Sequence, residues 1–212
     1  MSLKEKKPEL KIKVCGMCNA QNIARLVELE PDFIGFIFHE LSPRFCLKVP
    51  DVTIPEKIIK VGVFVNKPFA YIMKKKDEFN LNWVQLHGQE SPEFCEKMEQ
   101  SGLPVIKAFN IGPDFDFEKL KAYESACTLF LFDAAGKNAG GNGIVFNWDL
   151  LENYHGEKLF LLSGGISSAL AKKIKNFSHP SLYGIDINSG FETKPGMKNI
   201  SKIKAFQHEL SA

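Results

Sequence analysis

The sequence lacks any long hydrophobic run, since none of its apolar stretches approaches the roughly 20 residues that cross a membrane. Its first residues are rich in lysine and also lack the apolar core of a signal peptide. We therefore expect a cytoplasmic protein without a membrane partner.

An excess of charge of either sign is also missing. The chain has 27 Lys and Arg against 25 Asp and Glu in 212 residues, so its formal net charge is only +2. The densest basic clusters, Lys4–Lys7 and Lys74–Lys76, are typical of solvated surface, where lysine stems lie along the protein and their heads reach water. This balance argues against nucleic acid as the main partner.

Cysteine is too sparse and too scattered for a disulfide scaffold. The five cysteines form an odd set, which favours reduced thiols in a cytosol. The C-x-x-C sequence Cys15-Gly16-Met17-Cys18 is also found in redox pairs at strand-to-helix turns, an alternative that the chain length and the strand pattern count against. A zinc site would need two more ligands, and no second Cys/His pair has suitable spacing, so we expect no metal.

What the chain does contain is a regular succession of short apolar runs, usually followed by an amphipathic segment. Several runs are nearly continuous in apolar residues, as strands buried on both faces are. We predict strands at Leu10–Cys15, Phe33–Phe38, Lys60–Val65, Trp83–His87, Pro104–Phe109, Thr128–Asp133, Leu159–Ser163 and Leu182–Ile187.

The number of strands decides between two α/β architectures. Alternating strands and helices can form an open doubly wound sheet, but eight is the number that closes into a barrel. We predict an eight-stranded parallel (βα)8 TIM barrel, a single domain over residues 1–212, with residues 1–9 as a loose N-terminal extension.

Helical patterns fill most of the gaps between the strands. We predict helices at Asn19–Glu30, Pro68–Phe79, Pro92–Ser101, Phe115–Glu124, Ser167–Asn176 and Met197–Leu210. Three starts are well marked, because Asn19 is a plausible N-cap, Ser91 precedes a proline in the first helical position, and Ser167 opens the seventh unit. The proline-rich segment Leu41–Pro55 is only weakly helical and predicts a short or irregular helix.

Four polar residues interrupt the apolar strands and need a partner, because burying an unpaired charge is costly. They are Lys13, Gln85, Lys107 and Asp186. We predict that all four point into the barrel and pair with one another or with a ligand. The alternative is a side chain that reaches out between the helices.

Two residues at strand ends have the chemistry of an acid–base pair. Cys15 ends the first predicted strand and Asp133 the sixth, so both would lie at the C-terminal mouth of a barrel, where catalytic residues are found. Lys13 and the helix beginning near Asn19 would favour a Cys15 thiolate as a base. Asp133 would act as an acid in a pocket that raises its pKa. A buried apolar Cys15 and a capping Asp133 are the competing interpretations.

Glycine turns follow the last two strands. Ser163-Gly164-Gly165-Ile166-Ser167 runs from the seventh strand towards a helix, and Asp186-Ile187-Asn188-Ser189-Gly190 ends the eighth. Glycine lets backbone N–H groups approach an anion, and a helix N-terminus adds a favourable dipole. Either turn alone is consistent with a simple chain reversal, but the two together predict a phosphorylated ligand.

Two loops complete the candidate site. The glycine-rich segment 134–143 follows Asp133 and is long enough for a mobile lid, although composition alone is equally consistent with plain flexibility. Arg44 follows the second strand and could reach a ligand carboxylate, or it could be an ordinary surface arginine.

With these residues assembled, the chain resembles the phosphoribosylanthranilate isomerase family. The matching segments span nearly the whole chain in order: Lys13-Val14-Cys15-Gly16, Ile34-Gly35-Phe36-Ile37-Phe38, Ser42-Pro43-Arg44, Val61-Gly62-Val63-Phe64-Val65-Asn66, Val84-Gln85-Leu86-His87-Gly88, Val105-Ile106-Lys107-Ala108, Phe132-Asp133, Gly140-Gly141-Asn142-Gly143, Phe146-Asn147-Trp148, Leu162-Ser163-Gly164-Gly165 and Asp186-Ile187-Asn188-Ser189-Gly190.

The resemblance implies an Amadori rearrangement in tryptophan biosynthesis, without metal or cofactor. It makes Asp133 the general acid and Cys15 the general base. The implied substrate-binding residues, with Arg44 on the anthranilate carboxylate and the glycine turns on the phosphate, are Arg44, His87, Gly164, Gly165, Asp186, Asn188, Ser189 and Gly190.

The chain also departs from the family pattern, at Cys18 and at three asparagines of the lid and phosphate turns, Asn142, Asn147 and Asn188. These positions bear on affinity more than on reaction type. The alternatives are another phosphosugar barrel enzyme and a barrel that binds a phosphorylated metabolite without turning it over. We expect a monomer.

Overall fold

Eight parallel strands close into a barrel in the computed structural model of the chain, which describes residues 10–134 and 147–211. Each strand pairs with the next in sequence, and β8 pairs with β1. The strands are β1 Lys11–Val14, β2 Phe33–Ile37, β3 Ile59–Phe64, β4 Trp83–Leu86, β5 Val105–Ile111, β6 Leu129–Ala134, β7 Phe160–Leu162 and β8 Leu182–Ile187. The predicted barrel is confirmed, while the expected extension at 1–9 lies outside the described residues.

The described residues form five α-helices between or after the strands: α1 Ala20–Val27, α2 Phe69–Phe79, α3 Pro92–Gln100, α4 Ala171–Asn176 and α5 Ile200–Ser211. Turns of 3-10 helix occupy Phe117–Tyr123, Trp148–Asn153, Ser168–Leu170 and Ser189–Phe191. None of the described helices is long and apolar enough to cross a membrane.

Two of the three predicted helix starts have the expected cap. The Asn19 side chain accepts a hydrogen bond from the Asn22 N–H at 2.9 Å. The Ser91 hydroxyl accepts one from Phe94 N–H at 3.3 Å. The Ser167 side chain makes no capping hydrogen bond.

The prediction of a helix in Leu41–Pro55 is wrong, because this segment forms turns. Its prolines have no N–H to donate to a helix. The segment is attached to the barrel by a bridge between Ile37 and Phe45, with Cys46 N–H donating to the Ile37 carbonyl at 2.8 Å.

A short hairpin that the sequence did not reveal follows β8. Its strands are β9 Glu192–Lys194 and β10 Met197–Lys198, joined through Gly196 at φ +78°. The sequence pattern predicts a helix from Met197, but α5 begins only at Ile200. The hairpin places Glu192 and Lys198 at the C-terminal end of the barrel, beside the turn that follows β8.

Two apolar cores result from the alternation of side chains along the strands. The inner core fills the barrel and consists of Phe33, Val61, Ile106, Ala108, Leu129, Leu131 and Leu161. The larger outer core lies between the barrel and the helices and includes aromatic contacts such as Phe132 against Phe160, with ring centroids 4.7 Å apart.

The prediction that four polar strand residues point inward holds for three of them. Lys13 pairs with Asp186, and Gln85 contacts His87. Lys107 is the exception, because its neighbours Ile106 and Ala108 fill the inner core.

Lys107 therefore faces the helices, where its ammonium group is buried but fully paired. It lies 3.1 Å from Glu90 Oε2 and donates to the Gly88 carbonyl at 2.7 Å. This ion pair supports the loop after β4 from outside the barrel.

Candidate active site

Cys15 lies at the C-terminal end of β1, on the inner face of the barrel. Its N–H donates to the Ile187 carbonyl at 2.9 Å, which continues the pairing of β1 with β8. A Cβ at Gly35 would come within 2.8 Å of the Cys15 sulfur, so glycine is needed on β2 to leave room for the thiol. Cys15 is 3% exposed, at the base of the mouth.

A buried ion pair lies directly below Cys15. Lys13 Nζ is 2.8 Å from Asp186 Oδ1, and Asp186 Oδ2 accepts from the Ser163 hydroxyl at 3.4 Å. Burial alone would lower the pKa of Lys13, but attraction to Asp186 and Cys15 outweighs it and raises the pKa. Lys13 is therefore a permanent positive charge under the thiol.

The Lys13 charge, which was expected to favour a Cys15 thiolate, is opposed by the burial of the thiol. Burial raises the pKa of the Cys15 thiol, and the opposing attraction of Lys13 and Lys198 does not compensate for it. The thiol is thus held in a buried position beside a fixed cation.

Asp133 lies near the end of β6 on the same inner face, and His87 faces it. Its Oδ1 accepts from the Ala134 N–H at 2.8 Å, and its Oδ2 is 3.4 Å from His87 Nε2. Gln85 Nε2 lies 2.7 Å from His87 Nδ1. The sequence resemblance made His87 a substrate-binding residue, and the structure adds that it is next to the candidate acid.

Two polar atoms of the contacting Gln85 and His87 side chains have no hydrogen bond within the described residues. Gln85 Oε1 and His87 Nε2 are both buried, and buried polar atoms are normally paired. A ligand in the mouth would meet His87 and Asp133 together.

The glycine turn after β7 is packed against the candidate acid. Gly164 has φ +82°, and a Cβ there would lie 2.5 Å from the Ala134 nitrogen and 2.9 Å from Asp133 Oδ1. Gly165 also has a positive φ, of +67°. A larger residue at position 164 would push the turn away from Asp133.

The second predicted phosphate turn contacts the first. A Cβ at Gly190 would lie 2.1 Å from the Ile166 carbonyl oxygen, so the turns after β7 and β8 touch through their backbones. Asn188, in the second turn, accepts from Lys198 Nζ at 2.7 Å through its Oδ1. The fold thus brings both turns to one side of the mouth, beside Ser163 and Asp133.

Arg44 reaches the mouth but is already engaged by a carboxylate of this chain. Its Nε lies 2.9 Å from Glu192 Oε1, and its Nη2 lies 2.7 Å from Glu192 Oε2. A Cβ at Gly16, which has φ +74°, would lie 2.8 Å from Arg44 Cδ, so the arginine stem packs on the residue after Cys15. Sequence reasoning found Arg44 and missed Glu192 and Lys198, which lie in a hairpin without a distinctive motif.

The predicted lid, Cys18 and any candidate metal ligands remain to be placed. The lid falls almost entirely on residues 135–146, outside the described part of the chain, together with Asn142. Cys18 lies with its sulfur 3.8 Å from the Gly196 carbonyl, and all five cysteines are free. In the described residues, no group of three His, Cys, Asp or Glu side chains is arranged to hold a metal.

Comparison with known proteins gives one consistent result. The family described as N-(5'phosphoribosyl)anthranilate (PRA) isomerase matches residues 12–209. The N-(5'-phosphoribosyl)anthranilate isomerase of Parabacteroides distasonis is 46% identical over 204 residues, covering 94% of this chain and 92% of that protein. The enzyme of the same name from Phocaeicola vulgatus is 42% identical over 199 residues, covering 94% and 97%.

A solved structure adds a ligand to this comparison. It is a phosphoribosyl anthranilate isomerase in complex with reduced 1-(o-carboxyphenylamino)-1-deoxyribulose 5-phosphate. It is 27% identical to this chain with a TM-score of 0.77, and the match covers 95% of this chain and 98% of that one.

Proposed function

The chain belongs to the N-(5'-phosphoribosyl)anthranilate isomerase family, and on this basis we propose that Cys15 and Asp133 are the base and the acid of its reaction. The chain is an isomerase of tryptophan biosynthesis. It converts N-(5-phosphoribosyl)anthranilate to 1-(2-carboxyphenylamino)-1-deoxyribulose 5-phosphate.

Asp133 acts first in the proposed mechanism. Its carboxyl group protonates the ring oxygen of the ribose, and the ring opens to a Schiff base. The position of Asp133 on the inner face at the end of β6, with His87 Nε2 3.4 Å from its Oδ2, supports this role.

Cys15 then removes the proton from C2′, which the Schiff base has made acidic. The resulting enolamine tautomerises to the ketone. The Lys13 ammonium below the thiol supports this step, because a fixed cation stabilises the thiolate when it forms. Asp186 serves as the counter-ion of Lys13, rather than as a direct ligand of the phosphate, in this scheme.

The substrate lies across the mouth between two binding regions. The turns around Gly164-Gly165 and Asn188-Ser189-Gly190 hold the phosphate, and Arg44, which packs on Gly16 beside Asn188, holds the anthranilate carboxylate. The observation that carries this assignment is the convergence of both turns, the acid and the base on one end of the barrel. Backbone N–H groups of glycine turns and a planar guanidinium suit these two anions.

We also propose a cytoplasmic monomer with no nucleic-acid partner. The near-neutral charge supports the absence of nucleic acid. In the described part of the chain, the exposed large apolar side chains are Leu41, Leu47, Val49 and Leu159. Light scattering on the purified protein should give the mass of one chain, and a mass of two chains would contradict the monomer.

The acid–base assignment is tested by anthranilate fluorescence, with phosphoribosylanthranilate generated in place and a chelator in excess. We expect turnover that survives chelation. Cys15→Ala and Asp133→Asn should each lower kcat by about 10²–10⁴-fold, the usual share of one acid or base. Cys95→Ala, which removes a buried thiol from α3 far from the mouth, is the matched control and should keep its kcat.

Near-full activity of either site variant would show that the roles are misassigned. Saturable binding of the reduced carboxyphenylamino compound without any turnover would instead favour the non-catalytic binding barrel.

A further inference from the structure

Glu192 is the most completely hydrogen-bonded carboxylate at the mouth. Its Oε1 accepts from Arg44 Nε at 2.9 Å, from Lys198 Nζ at 2.6 Å and from the Gly196 N–H at 3.1 Å. Its Oε2 accepts from Arg44 Nε at 3.0 Å and from Nη2 at 2.7 Å. All of its acceptor capacity is used within the chain, so Glu192 has none left for a substrate.

Only one edge of the Arg44 guanidinium is used in this contact. Glu192 occupies the edge formed by Nε and Nη2. No residue of the described chain accepts a hydrogen bond from Nη1, so no carboxylate of the described residues occupies the edge formed by Nη1 and Nη2. A guanidinium can bind two carboxylates at once through these two edges, each in a bidentate geometry.

The local charge favours an additional anion. Glu192 is paired with two cations, Arg44 and Lys198. The Lys198 side chain is fully buried. With Lys198 protonated, Arg44, Lys198 and Glu192 together carry one net positive charge, and burial lowers the pKa of Lys198. A single carboxylate from the substrate would neutralise this charge, which lowers the cost of burying it.

We propose that Glu192 is a positioning residue, which holds one edge of the Arg44 guanidinium so that its other end faces the anthranilate carboxylate. This inference rests on the proposed binding role of Arg44. Arginine has several rotatable bonds, and a guanidinium held in advance loses less freedom when it binds.

Lys198 connects this arrangement to the phosphate side of the site. Its ammonium group lies 2.6 Å from Glu192 Oε1 and 2.7 Å from Asn188 Oδ1. Arg44, Glu192, Lys198 and Asn188 thus form one continuous hydrogen-bonded chain from the carboxylate region to the turn after β8. The hairpin β9–β10 therefore contributes two members of this chain, Glu192 and Lys198.

The test compares two ligands that differ only in the carboxylate. One is reduced 1-(2-carboxyphenylamino)-1-deoxyribulose 5-phosphate and the other is the phenylamino analogue without the carboxyl group. Calorimetry gives the Kd of each, and their ratio measures recognition of the carboxylate. We expect Glu192→Gln to reduce this ratio by about 10-fold or more, because a buried charge partner of Arg44 is lost. The Kd of the carboxyl-free analogue should stay within about 2-fold.

Two further variants separate positioning from general damage. Glu192→Asp keeps the charge and should retain more discrimination than Glu192→Gln; if the Gln variant does not fold, the Asp variant against wild type carries the test. Glu90→Gln is the matched control, because it breaks another buried ion pair, with Lys107 on the helix side, and should leave the ratio unchanged.

Four results would overturn the proposal. Equal weakening of both ligands in Glu192→Gln would indicate a merely structural role. Tighter binding of the carboxylated ligand would show that Glu192 competes with the substrate for Arg44. If Arg44→Gln keeps the wild-type ratio, the binding role of Arg44 is itself wrong and the proposal fails with it. If Arg44→Gln loses the ratio while Glu192→Gln keeps it, only the role of Glu192 is wrong.

Discussion

At the scale of single residues, the site depends on whether burial or a neighbouring charge dominates. Cys15 illustrates this balance. From the sequence, Lys13 two residues earlier indicates a lowered pKa, because alternation places both side chains on the same face. The structure confirms that they share a face, but it also places the thiol out of water, and burial raises its pKa more than Lys13 lowers it. The depth of a side chain depends on the whole barrel and is absent from any local pattern.

The ionisation of Cys15 can be measured by alkylation. Iodoacetamide reacts with the thiolate, so modification of the peptide that contains Cys15, followed by mass spectrometry, reports the thiolate fraction. Because the pKa is raised, we expect the rate to increase with pH through neutrality and still to be rising at about pH 9, near the ordinary value for a thiol. A rate that reaches its plateau near pH 7 would mean that Lys13 outweighs burial.

Lys107 shows a second limit at the residue scale. It was expected to point into the barrel, and it faces the helices. The residues on both sides of it, Ile106 and Ala108, are apolar, so the period of two along β5 does not reveal which face is the inner one. The ion pair of Lys107 with Glu90 could be identified only from the folded structure.

At the scale of elements, the strands were predicted well and the connections less well. All eight predicted strands overlap the observed ones, because a parallel strand buried on both faces is a continuous apolar run. The segment predicted as a helix at Phe115–Glu124 contains a 3-10 helix at Phe117–Tyr123, and the hairpin at Glu192–Lys198 was missed. Such connections are determined by contacts with distant residues.

The helix caps allow a test at this scale. Ser91→Ala should lower the free energy of unfolding by about 1 kcal/mol, because the hydroxyl satisfies an N–H at the start of α3. Ser167→Ala is the matched control. Its hydroxyl makes no capping bond, so the same substitution should have a much smaller effect. Urea denaturation of the three proteins measures the difference, and equal losses in the two variants would contradict the assignment of Ser91 as a cap.

The residues of the candidate site could be predicted only in part from the strands and turns that carry them. The strand-end positions of Cys15 and Asp133 and the glycine turns follow from the barrel topology, which places all C-terminal strand ends together. The hairpin that carries Glu192 comes after the last strand, where no repeat of the fold constrains it. Its contact with Arg44, 148 residues earlier, could not be read from the chain.

At the scale of the whole molecule, the barrel depends on its closure between the first and last strands. Four registered residue pairs join β1 to β8, against two between β1 and β2. The ion pair of Lys13 and Asp186 lies on this seam, inside the barrel and directly under the candidate active site. The same pair therefore contributes both to closure and to the charge below Cys15.

This dual role predicts a large loss of stability from a small change. Asp186→Asn leaves the Lys13 ammonium buried without a counter-ion, which should cost roughly 3–5 kcal/mol in the free energy of unfolding. The control is Glu118→Gln, which breaks an exposed ion pair with Lys121 and should leave stability close to that of the wild type.

A double variant identifies the cause of the loss. Adding Lys13→Met to Asp186→Asn removes the unpaired charge, so the double variant should be more stable than Asp186→Asn alone, even though it has lost both charges. Urea denaturation of the four proteins provides the comparison. If the double variant is less stable than Asp186→Asn, the Lys13 ammonium is not left uncompensated by that substitution. The seam would then depend on the shape of these side chains rather than on their charge.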